Sequence, residues 1–171
     1  MPRAFLGLGS NIGDRLGFLQ SAIAELERAE GISIVGASLI YETEPVGKKD
    51  QPDFLNMALE IEADADVTAL HATCKEIERR IGRSGTERWG PREIDIDLLY
   101  YGDAVISTNR LTVPHPEIVT RRFVLIPLAE LDSDFIDPVR HRSIGELLAL
   151  CADTCRVTKT SLSAHVHTLG V

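Results

Sequence analysis

The side chains best suited to chemistry in this chain are Asp95 and Asp97, set in the run Ile94-Asp95-Ile96-Asp97-Leu98-Leu99. The β-branched and aromatic content from Ile94 to Tyr101 predicts a strand, and alternate residues on a strand share a face. Asp95 and Asp97 then project together roughly 7 Å apart, while Ile94, Ile96 and Leu98 turn into a core. At an effective dielectric of 20 the two charges repel by about 2 kcal/mol unless a cation sits beside them. By itself such a rung reads as an acidic surface face, and its neighbours change that reading. Arg79, Arg80, Arg83, Arg88 and Arg92 place five of the chain's fourteen arginines within fourteen residues. Carboxylates beside a guanidinium cluster match a metal-bound polyphosphate. Mg2+ takes one or two carboxylates together with phosphate oxygens and water, and arginine makes bidentate contacts to phosphate.

Zinc is disfavoured, because the nearby histidine is single and no thiolates cluster. Cys151 and Cys155 stand four apart rather than in a C-x2-C pair, so all three cysteines are expected to be reduced packing residues. Gly47-Lys48 lacks the upstream glycine and the following Ser or Thr of a phosphate-binding P-loop. Gly7-Leu8-Gly9-Ser10-Asn11-Ile12-Gly13 resembles a dinucleotide fingerprint with its third glycine one residue late, and its glycines are expected to serve a tight strand-to-helix turn. A second basic wall is expected from Arg110 to Pro116, where two prolines stiffen the backbone around His115, with Arg121 shortly after.

The elements that must position these groups follow from hydrophobic period. Arg3 to Leu8 predicts a buried first strand. Leu16, Leu19, Ile23 and Leu26 fall at helical spacing and predict an amphipathic helix over Asp14 to Ala29. Ile32 to Glu44 and Phe54 to Glu62 predict two strands across a polar loop from Pro45 to Pro52. A second helix is expected over Asp66 to Ile81, then a basic irregular stretch over Gly82 to Glu93, then the aspartate strand. Shorter helices are expected near Phe123 to Leu131 and Ser143 to Leu150. The order strand, helix, strand, strand, helix, strand predicts a single α+β domain with helices on one face of a mainly antiparallel sheet.

With 171 residues, 44% of them hydrophobic, the chain can bury a real core. Its 26 acidic against 18 basic residues give a net charge of -8, which would repel nucleic acid and anionic membranes from most of the surface. No apolar run approaches the roughly 20 residues of a membrane span. A cytoplasmic monomer is expected, with no nucleic-acid or membrane partner. An RNA-binding module on a similar scaffold would need more than 5% aromatic residues and a more basic surface. A ligand-binding regulatory domain would need no metal at Asp95 and Asp97.

The assembled motifs closely resemble the 6-hydroxymethyl-7,8-dihydropterin pyrophosphokinase family. They are Gly9-Ser10-Asn11, Tyr41-x-Thr43-x-Pro45-x-Gly47, Gln51-Pro52-Asp53-Phe54-Leu55-Asn56, Arg88-Trp89-Gly90-Pro91-Arg92, Asp95-Ile96-Asp97, Leu111-Thr112-Val113-Pro114-His115 and Arg121-x-Phe123, in family order over residues 5 to 128. The resemblance implies a ferredoxin-like α+β sandwich and pyrophosphoryl transfer from ATP to the pterin hydroxymethyl group, with AMP released. It assigns two Mg2+ ions to Asp95 and Asp97, and charge neutralisation to Arg83 and Arg92. Together with Asp97, those arginines would be the catalytic groups. It gives the nucleotide side to Glu78, Arg83, Trp89, Arg92, Arg110, Thr112, His115 and Arg121. Thr43, Glu44, Val46 and Asn56 would address the pterin edge, and Phe54 and Phe123 would sandwich its ring. Glu44 stands where relatives carry proline, and the stretch Ser84-Gly85-Thr86 is a residue shorter than in some of them. The two loops, Val46 to Asp53 and Gly82 to Arg92, are expected to close over the substrates.

Overall fold

The computed structural model describes residues 1–82 and 93–167. Its central sheet is antiparallel throughout. Strand β1 (Arg3–Ser10) lies between β4 (Phe54–Ala63) and β5 (Asp95–Tyr101), and the far side of β4 is shared by β2 (Ile32–Ala37) and β3 (Tyr41–Thr43). A last strand, β8 (Val157–Lys159), pairs with β3. A small hairpin of β6 (Ile106–Ser107) and β7 (Thr112–Val113) stands apart from the sheet.

Two helices cover one face. Helix α1 (Arg15–Arg28) buries Leu19, Ala22, Ile23 and Leu26, an apolar stripe of the predicted spacing, and Asp14 caps it by accepting the Gly17 N–H at 3.0 Å. Helix α2 (Val67–Ile81) buries Leu70, Cys74 and Ile77 and starts at Asp66, which accepts the Ala69 N–H at 2.9 Å. It stops at Gly82, whose φ of 103° suits a residue without a Cβ and lets its N–H reach the Glu78 and Arg79 carbonyls. Beneath these helices lie Leu6, Leu8, Leu55, Met57, Leu59, Ile61, Ile96 and Leu98. Truncating Leu19 or Ile23 in this core would cost about 2–5 kcal/mol.

The α+β class matches the sequence expectation, and so does the order βαββαβ once β2 and β3 are taken as the two halves of the strand predicted over Ile32 to Glu44. A second core on the opposite face goes beyond it. Phe5, Leu99 and Tyr100 pack there against Leu125 and Leu128 of α3 (Arg122–Asp132) and Ile144 and Leu147 of α4 (Ile144–Leu150). Helices therefore lie on both faces, but α3 and α4 cover only part of theirs. The register shift at Phe5/Leu6, which makes Leu99 an extra residue on β5, turns both Leu99 and Tyr100 toward this core.

Three local expectations change. β1 runs past Leu8 to Ser10, so Gly7 and Gly9 are strand residues and the turn falls after them. The predicted strand from Ile32 to Glu44 is broken at residues 38–40, where Glu130 of α3 accepts the Leu39 N–H at 2.6 Å and the Tyr41 hydroxyl at 2.5 Å. The tail, for which no element was expected, supplies β8. Cys74 is fully buried, as expected of a packing residue, and burial pushes its thiol up to about 12. Among the described residues no helix is long and apolar enough to cross a membrane.

Candidate active site

The part of the second face that α3 and α4 leave open is floored by three strands. Antiparallel register sets Asp95 beside Gly9 and Gly9 beside Asn56, and one rung further Asp97 beside Gly7 and Gly7 beside Ala58. Ile94 and Ile96 are fully buried on the other face while Asp95 and Asp97 are half-exposed, the alternation the sequence predicts. The middle of each rung carries no side chain. A Cβ at Gly9 would stand 2.5 Å from the Asn56 Oδ1, and one at Gly7 would meet Leu99 at 3.4 Å. Glycine here keeps the floor flat and gives the neighbouring carboxylates room.

Above this floor is a cavity of about 300 Å³, lined by Thr43, Glu44, Val46, Phe54, Asn56, Asp95, Asp97, His115, Arg121 and Phe123, all singled out from sequence, together with Gly7, Gly9, Ala58, Leu99, Val124 and Pro127. Its size suits a small ligand. Phe54 begins β4 and Phe123 lies in the first turn of α3, so the two rings reach the cavity from the sheet and from a helix. Asn56 donates its Nδ2 to the buried Thr43 Oγ1 at 2.7 Å, which holds the amide in place. The Arg121 guanidinium lies 5.6 Å from the centre of the Phe123 ring.

His115 is fixed twice. Its backbone N–H donates to the Leu99 carbonyl at 3.0 Å, and its Nδ1 accepts the Glu117 N–H at 3.2 Å. An accepting Nδ1 leaves the proton of the neutral ring on Nε2. Burial pushes the ring pKa down; Asp97 pulls it back and Arg121 adds to the fall, and the net shift is downward. The ring is therefore a neutral N–H donor near pH 7.

Other sequence-derived residues lie elsewhere. Glu78 is buried at the outer edge of β5, where one carboxylate oxygen accepts the Ile96 N–H at 2.7 Å and Lys75 Nζ at 3.0 Å, while Lys75 also donates to the Ile96 carbonyl at 3.3 Å. Ile96 is the residue between the two aspartates, so Glu78 holds the strand that presents them. Arg110 and Thr112 are exposed around the β6–β7 hairpin and do not line the cavity. Arg83, Trp89 and Arg92 lie outside the described residues. Gly7, Gly9 and Pro127 were missed as site residues. The period-two spacing of the glycines, shared with the aspartates, was the signal that could have found them.

Comparison with known proteins decides the family. Residues 5–133 match the model of the 7,8-dihydro-6-hydroxymethylpterin-pyrophosphokinase family. The chain belongs to that family. A 2-amino-4-hydroxy-6-hydroxymethyldihydropteridine pyrophosphokinase of Methylorubrum extorquens is 46% identical over 149 residues, 87% of this chain and 93% of the relative. One of Bacillus subtilis is 45% identical over 128 residues, 75% and 77% of the two chains. Among solved structures, the wild-type Plasmodium falciparum HPPK-DHPS aligns over 87% of this chain with a TM-score of 0.68 at 15% identity, which supports the fold. This chain spans 44% of the length of that one. The family match ends inside the second core, at residue 133, so α4 and the tail lie beyond it.

Proposed function

We propose that the chain transfers a pyrophosphoryl group from ATP to the hydroxymethyl group of 6-hydroxymethyl-7,8-dihydropterin, releasing AMP and the pterin diphosphate, a step of folate biosynthesis. The observation that carries this reading is one cavity in which two phenylalanine walls and a fixed amide lie beside a pair of carboxylates, in a chain of the pterin pyrophosphokinase family.

Phe54 and Phe123 sandwich the flat heterocycle, an arrangement that gains from both dispersion and ring quadrupoles. Asn56, oriented by Thr43, reads the hydrogen-bonding edge of the ring, with Glu44 and Val46 at the rim. The pterin hydroxymethyl group then points along the floor toward Asp95 and Asp97. Transfer of this kind needs positioning and charge neutralisation more than covalent chemistry, so no nucleophilic side chain is called for.

Asp95 and Asp97 are the residues that would hold Mg2+, and the two-carboxylate donor set and the open floor at Gly7 and Gly9 fit a hard cation that keeps phosphate oxygens and waters as its other ligands. When bound with ATP, the ions supply positive charge against the oxygens of the group being transferred. His115 Nε2–H and the Arg121 guanidinium donate to phosphate oxygens from the opposite wall. The family resemblance adds Arg83 and Arg92 as neutralising groups and Glu78, Trp89, Arg110 and Thr112 to the nucleotide side. Glu78 would act there through β5.

Incubation with ATP, Mg2+ and the reduced pterin alcohol tests the proposal. AMP and pterin diphosphate in equal amounts are expected; release of ADP, or no pterin-dependent turnover, would contradict it.

A further inference from the structure

The segment after α4 joins the two aromatic walls of the cavity. At one end Asp153 accepts the Arg122 N–H at 3.0 Å, capping a helix whose own N-cap residue, Arg121, makes no side-chain cap. The same carboxylate accepts the Cys155 N–H at 2.9 Å, which closes a tight turn in the tail. Arg122 immediately precedes Phe123. Three residues further on, the Arg156 guanidinium pairs with Asp53 at 2.7 Å, and Asp53 immediately precedes Phe54.

Arg156 also grips the other end of the polar loop over residues 45–52. Its N–H donates to the Glu44 carboxylate at 2.6 Å, and its carbonyl accepts the Glu44 N–H at 3.3 Å, continuing into the pairing of Val157 with Thr43. The stretch from Asp153 to Arg156 can span at most about 10 Å. It is thus a short tether from the first turn of α3 to both ends of the loop beside Phe54.

We propose that residues 153–156 form a strut that sets the gap between the Phe123 and Phe54 walls, making Asp153 and Arg156 positioning residues for the flat heterocycle. The proposal rests on the reading that these two rings stack the pterin. Arg156 has a side chain 60% exposed, so its ion pair contributes little to global stability. Its effect is on where the wall and loop stand. The carboxylate of Asp153, which is drawn below the ordinary range by the two backbone N–H groups against the opposing effect of burial, stays charged at neutral pH and keeps the α3 end fastened.

Initial rates at varied pterin and varied ATP, with melting temperatures, test this on the parent, Arg156→Ala, Arg156→Lys, Asp153→Ala and the double alanine variant. Each single alanine change is expected to raise the pterin KM about tenfold, a loss in keeping with a wall misplaced by a fraction of an ångström. The kcat and the ATP KM should hold within about twofold. Lysine at 156 should restore most of the pterin affinity, and the double variant should be no worse than the weaker single, because the Asp53 pair and the Arg122 bond act in series; the Arg156 backbone bonds to Glu44 remain in every variant. Unchanged pterin KM in both single variants, or pterin and ATP KM rising together, would overturn the strut. A parent that neither binds the reduced pterin in an equilibrium titration nor releases AMP would sink the functional reading, and the strut with it.

Discussion

Gly9 of β1 and Asn56 of β4 face one another so closely that a Cβ at position 9 would stand 2.5 Å from the Asn56 amide oxygen. The glycine is thus required by an approach of side chain to backbone, with no turn involved. It also connects the amide that would read the pterin edge to the rung that carries Asp95.

Gly9→Ala should force the Asn56 side chain off its bond to Thr43 Oγ1. Pterin KM should rise about tenfold or more while ATP binding changes little, the pattern of a lost substrate contact. Steady-state kinetics on this variant check it, and an unchanged pterin KM would show that the amide does not address the ring.

Glu78 fastens the outer edge of β5 at Ile96, between the two aspartates. Glu78→Ala leaves a buried N–H without an acceptor and should cost about 1–3 kcal/mol in urea unfolding. It should also lower turnover, because the strand that aims both carboxylates loses its support. Glu78→Gln keeps an acceptor oxygen and should sit much nearer the parent. Faster hydrogen exchange at the Ile96 amide in the alanine variant alone would be the local signature.

Acid should unfold the protein through three carboxylates. Burial alone would push Asp132, Asp137 and Asp153 up, yet each is held below the ordinary 3.8 by donors aimed at it. These are the Arg3 guanidinium and the Asp134 N–H at Asp132; the Tyr100 hydroxyl and the Arg140 and Val139 N–H groups at Asp137; and the Cys155 and Arg122 N–H groups at Asp153. Between the lowered folded value and the unfolded one, the unfolded chain binds more protons. The stabilisation is therefore complete above the unfolded value and is lost as pH falls through the folded ones. Melting temperature should drop below about pH 4, and Asp137→Asn should flatten part of that slope. A midpoint constant down to about pH 2 would contradict these assignments.

Much of this was legible in the sequence because its signals are local and periodic. The stripe Leu19, Ile23 and Leu26 and the alternation of Ile94, Ile96 and Leu98 against Asp95 and Asp97 each lie within one element, and both were borne out. Gly7 and Gly9 were misread because a glycine in a turn and a glycine under a close contact look alike until Asn56 is brought across the sheet from 47 positions away. The second core gathers apolar side chains from Phe5 to Leu147, and the placement of Asp153 and Arg156 rests on bonds between polar side chains and distant backbone; neither leaves a periodic trace. The expected closure of the loop from Val46 to Asp53 stands as a proposal, to be checked by hydrogen exchange with and without an ATP analogue and pterin; residues 83–92 of the other loop lie outside the described residues.

The central claim is that the acidic face of β5 at Asp95 and Asp97 serves the phosphates of ATP, and single-turnover assays of Asp97→Asn and Asp95→Asn with saturating ATP, pterin and Mg2+ address it most directly. Each folded variant should lose about a thousandfold in the rate of AMP formation, the scale of several kcal/mol of lost charge stabilisation, while still binding the reduced pterin. Rates within a few-fold of the parent in both variants would contradict the account.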